Sequence, residues 1–152
     1  MVKSDKVQLG KILELIQKKI EAFGLNIHNI KVLSAKYLDQ YNIIAQHYGV
    51  INKIASNAVA NMSESAKDKF QEIYGKSVND VKVLGGFEFL SLYKDFNANT
   101  LDFLLQNCKT TKLAGGTYCL PTKLDTQAAY LINGFHPRQL EHFTEPGRCI
   151  VV

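Results

Sequence analysis

Tryptophan is absent from this 152-residue chain, arginine stands only at 138 and 148, and proline and cysteine occur three times each. Each scarcity excludes something. Cys108, Cys119 and Cys149 are odd in number and lack metal-ligand spacing, so neither a disulfide framework nor a zinc site is expected. Free thiols fit a reducing compartment, and a cytoplasmic location is the expectation. No apolar run reaches the about 18 residues of a membrane span and no signal peptide is evident, so a membrane partner is not expected. The charge of +4 rests on 16 scattered lysines, with no basic stripe interleaved with aromatics. That distribution fits a phosphate-bearing ligand and argues against a nucleic-acid surface.

What is present begins with a strand, helix, strand, helix pattern over residues 2–48. After the polar turn Lys3-Ser4-Asp5-Lys6, apolar residues recur at Ile12, Ile16, Ile20 and Phe23, with Leu13 and Leu15 widening one helical face. Gly24 ends that helix, as a residue free to take positive φ can. Residues 25–33 are rich in β-branched side chains and read as a strand, with a phase slip between Asn29 and Ile30 where a bulge fits. Ser34 caps a second helix whose inner side carries Tyr37, Leu38, Tyr41, Ile44, Ala45 and Tyr48. A helix between two strands brings them into one sheet by a right-handed crossover.

These residues resemble a known family. The segment KSDKVQLG is similar to the K-P-D-G-V-Q-R-G signature of nucleoside diphosphate kinases, matching at Lys3, Asp5, Val7, Gln8 and Gly10 and departing at Ser4, Lys6 and Leu9. Downstream, EAFGLNIHNIKVL resembles the family's first helix end and second strand, and AQHY the end of its second helix; about a third of the chain is covered. The resemblance implies an α+β fold of ferredoxin-like βαβ type, an antiparallel sheet with helices on one face. It also implies magnesium with ATP, and transfer of a γ-phosphoryl from a nucleoside triphosphate to a diphosphate through a phosphohistidine. Lys3 falls on the lysine that contacts the transferring phosphoryl, where an ammonium stabilises developing charge. Tyr48 falls on the tyrosine near the phosphates. Both are the expected nucleotide-binding residues.

Read without the resemblance, the chain has the size and 46% hydrophobic content of one domain with one core, and no repeat or low-complexity linker. With it, residues 1–50 form the kinase-like core, 51–134 a mixed α/β insertion, and 135–152 a return to a core strand. Inside the insertion, 51–61 read as a short helix, and a second helix is capped by Ser63 and ended by Gly75. Residues 81–84 read as a strand, 87–93 as either helix or strand, and 100–106 as a helix. Residues 117–120 and 128–132 read as strands on either side of a turn at 121–125. Gly75-Lys76-Ser77 imitates a phosphate-binding loop, but Phe70 stands where its first glycine belongs. Gly115-Gly116 precedes a strand, the wrong context for dinucleotide binding.

Two readings of the C-terminal stretch stay open. Asn133 and His136 reproduce the N-x-x-H spacing of the family's phosphohistidine, whose imidazole attacks phosphorus directly. Against this, Pro137-Arg138-Gln139 replaces the family's Gly-Ser-Asp, and no arginine precedes residue 138 to clamp phosphate oxygens as a planar fork. In the other reading, His136-Pro137 starts a helix with Leu140 and Phe143 inward, and 148–152 form the family's central strand. His28, His47 and His142 then read as structural or exposed.

On that second reading the family's catalytic half would lie past Val152, and most of the first strand upstream of Met1. The expected partners are nucleoside tri- and diphosphates, with a further copy of the chain or a complementary C-terminal chain at the open sheet edge. The remaining alternative is a non-catalytic module that binds nucleotide or a partner on the same scaffold.

Overall fold

Local capping chemistry sets most element boundaries. The computed structural model describes residues 2–3, 9–124 and 126–152, with the backbone alone for Val2, Lys3 and Leu9. Residues 4–8, which carry most of the kinase-like motif and of the polar turn expected at 3–6, and Asp125 lie outside the described residues. β1 (Val2–Lys3) and α1 (Leu9–Ala22) come first. Gly24, at φ 69°, closes α1 in a Schellman turn, in which Gly24 N donates to Glu21 O at 2.9 Å and Leu25 N to Ile20 O at 3.1 Å.

The strand expected at 25–33 is much shorter: β2 covers only Val32–Ser34. Its three residues pair with Val151, Ile150 and Cys149, and Lys31 just ahead of it exchanges two backbone bonds with Val152. Ser34 then caps α2 (Ala35–Gln40), its hydroxyl accepting from Tyr37 N at 3.2 Å. The single helix expected up to Tyr48 is broken at Asn42, whose φ of 50° is incompatible with a helix interior, and resumes as α3 (Ile43–His47). α4 (Gly49–Ser56) and α5 (Ala58–Asn61) follow, then α6 (Glu64–Tyr74), capped by Ser63 and ended by Gly75 as the sequence indicates.

β3 (Lys82–Gly85) runs into α7 (Gly86–Leu92), which settles residues 87–93 as helix, and α8 (Ala98–Gln106) follows. β4 (Thr111–Ala114) has no counterpart in the sequence reading. β5 (Thr117–Leu124) runs through the turn expected at 121–125: Pro121 pairs with Tyr130 in β6 (Gln127–Ile132). Beyond Cys119 β4 no longer pairs with β5, so Pro121 sits on an edge, where a missing N–H is tolerated. α9 (His136–Thr144) and β7 (Cys149–Val151) complete the order, both where the second reading of the C-terminal stretch expects them.

The chain divides into two compact units, Met1–Ile44 with His142–Val152, and Ala45–Glu141. The divisions fall inside α3 and α9, whereas the sequence reading draws its boundaries after residues 50 and 134. The first unit holds a three-stranded sheet of order β1-β7-β2, with β7 antiparallel to both neighbours. The second holds a four-stranded mixed sheet of order β3-β6-β5-β4, in which β3 and β6 are parallel. Its two faces carry separate cores. Ile54, Ala58, Met62 and Phe70 cluster with Val83, Tyr130 and Ile132; Phe89, Leu101 and Leu105 cluster with Leu120 and Leu131. Burial on both faces is why β6 reads as an almost unbroken apolar run. The α+β class expected from the sequence is therefore observed. No helix among the described residues is long and apolar enough to cross a membrane.

Candidate functional site

Within the second unit, the chain places a helix start opposite a hairpin turn. Tyr48 is the N-cap of α4 and makes no side-chain cap bond, while its carbonyl accepts from Asn52 N at 2.8 Å. The first-turn amides of Gly49, Val50 and Ile51 have no carbonyl of their own helix to donate to. These three residues belong to the wall of a cavity of about 460 Å³, formed by residues 46–51 and by Gly115 and Gly116, the turn between β4 and β5. Gly116 has φ 69°, and a Cβ there would come within 3.1 Å of Val50 Cγ1, so this wall requires glycine twice over. His47 stands edge-on to Tyr48, ring centroids 4.8 Å apart. Backbone N–H groups at a helix start, a phenol and an imidazole around one cavity suit an anion such as a phosphate.

Behind the cavity lie Asn133 and His136, both wholly buried. Asn133, at φ 50°, accepts on Oδ1 from Tyr118 N (3.0 Å) and donates from Nδ2 to Gly116 O (2.8 Å) and Ile51 O (3.4 Å). His136 has Nδ1 3.0 Å from Gln139 Oε1 and Nε2 3.1 Å from Asn52 Oδ1. Tyr48 and Phe87 meet its ring edge-on at 6.3 and 5.8 Å. Burial pushes the imidazole below its ordinary value, outweighing the opposing bond to Gln139. A neutral ring donates at one nitrogen and accepts at the other, so one of the two amides turns its NH2 toward it. Attack on phosphorus needs a ring lone pair in open space, and here both nitrogens are engaged.

Of the residues singled out by sequence, Tyr48, Asn133 and His136 are brought together in the second unit. Lys3 belongs to the first unit, where its backbone pairs with Ile150; its side chain is not described. From sequence, Gln46, Asn52 and Gln139 have no site role, and His47 reads as structural or exposed. The Gly115-Gly116 dipeptide precedes a strand, and the helix start that shares its cavity comes from 65 residues earlier in the chain, as the positions of Val50 and Gly115 show. Among the described residues no group of three His, Cys, Asp or Glu side chains is placed to hold a metal. Burial raises the Cys119 thiol to about 11, which keeps it protonated at neutral pH and removes it as a nucleophile. The chain matches no protein-family model, no curated protein and no solved structure.

Proposed function

We propose that this protein is a nucleoside diphosphate kinase-like module that binds the phosphates of a nucleoside triphosphate at the start of α4. The observation that carries the reading is the position of Tyr48. The tyrosine that the family resemblance assigns to the phosphates lies in the wall of a cavity that also takes in the first three residues of α4. The strand order lends support: β7 between β1 and β2, antiparallel to both, is compatible with three strands of a ferredoxin-like sheet. The outer edges of β1 and β2 offer ladders to a second copy or a complementary chain, and the reading carries a cytoplasmic location with it. Among the described residues no carboxylate lines the cavity, so magnesium would enter bound to the nucleotide's own phosphates and neutralise their charge.

The kinase reading, with transfer through a phosphohistidine, is the second one. The ring of His136 favours the binding module over it, because either nitrogen must break a hydrogen bond before it can attack. Calorimetric titration with MgATP, together with incubation in γ-labelled ATP, tests both. Saturable binding without acid-labile, base-stable label supports the module. No binding at millimolar MgATP contradicts it, and label that disappears in His136→Asn would restore the enzyme.

A further inference from the structure

The spacing that imitates a catalytic histidine has a different consequence in space. Asn133 and His136 grip consecutive residues of α4: Asn133 Nδ2 donates to Ile51 O, and His136 Nε2 meets Asn52 Oδ1. The same Asn133 amide donates to Gly116 O, so one side chain ties together the two walls of the cavity, the first turn of α4 and the Gly115-Gly116 turn. Its Oδ1 accepts from Tyr118 N and its backbone N donates to Tyr118 O, which anchors the link to β5 immediately after the turn. The backbone carbonyl of Asn133 accepts from His136 N at 3.1 Å, which joins the two gripping residues into one unit.

We infer that Asn133 and His136 are positioning residues forming a clasp that sets the separation of the two cavity walls. This rests on the proposed nucleotide site for its purpose but not for its existence. The chemistry favours a fixed width. Asn133 is wholly buried, three of its four side-chain hydrogen-bonding positions are used, and its two donated bonds end on opposite walls. His136 holds α4 to α9 one residue further on, and its ring packs edge-on against Tyr48. A bound phosphate would therefore meet amides already held in place, so less ordering would be needed at binding.

Amide hydrogen exchange on the full chain, read without ligand, tests the clasp. Asn133→Gly keeps the left-handed backbone and deletes the side chain. Exchange at the hydrogen-bonded amides 52–55 of α4 and at 117–118 should rise about tenfold or more together, while the amides of α6 change far less. Asn52→Ala, which leaves Asn133 intact, should loosen 52–55 alone and provides the test if Asn133→Gly does not fold. Uniform acceleration throughout 45–141, or unchanged exchange at both walls, would overturn the inference. A clasp present in protein that fails to bind MgATP would sink the nucleotide reading and leave the clasp standing.

Discussion

Two helices, one from each unit, are buried to different depths. In the first, α1 spans 14 residues, yet none of its described side chains is buried; Leu13, Ile16 and Ile20 reach only half burial and Leu15 stays 58% exposed. In the second, α6 spans 11 residues and sinks Phe70 to 0% exposure, and Phe89 on the opposite face of the sheet reaches 1%. The helix that follows the kinase-like turn is thus the less deeply packed one, and the candidate site lies in the other unit, which carries only AQHY and the N-x-x-H spacing of the resemblance. A motif reports what the backbone near a ligand must do, whereas burial reports where stability comes from, and the two need not coincide.

Core truncation should separate the units most clearly. Phe70→Ala is expected to cost about 3–5 kcal/mol in urea unfolding, because it leaves a cavity between helix and sheet, whereas Leu15→Ala should stay within about 0.5 kcal/mol. Equal losses would erase the contrast. Glycine substitution sharpens it at smaller scale. A Cβ at Gly85 would lie 2.2 Å from Ala55 O, so Gly85→Ala should cost about 1–3 kcal/mol or more, while Gly10, with nothing within 4 Å, should accept alanine with a gain of up to about 1 kcal/mol.

Acidity should act on the second unit through His136. Its folded value is depressed, so the unfolded chain binds the proton more readily. The resulting stability is complete above the unfolded value of about 6.5 and is lost as pH falls from there through the lower folded value. His136→Gln, which keeps hydrogen-bonding capacity without titrating, should flatten that part of the stability profile. A profile as steep as the wild type's would assign the effect to other groups.

Particular residues show how far the sequence could be read. Ser63 and Gly75 bracket α6, Gly24 ends α1, and His136-Pro137 opens α9, because caps and breakers act within a few residues of themselves. Asn42 broke a helix that periodicity alone would continue, since its positive φ leaves no mark on the apolar pattern. Pro121 misled for the opposite reason: a local breaker was overridden by a strand edge that only the end of β4 creates. The site was legible in its single residues Tyr48, Asn133 and His136. Its assembly was not, because the cavity joins residues 46–51 to Gly115 and Gly116, and no local pattern encodes that meeting.

The most direct test is an amide chemical-shift titration of the isotopically labelled chain with MgATP. If the start of α4 receives the phosphates, the largest saturable shifts will fall on Gly49, Val50, Ile51, Gly115 and Gly116. Saturable shifts confined to other residues, or none at millimolar nucleotide, would contradict the account.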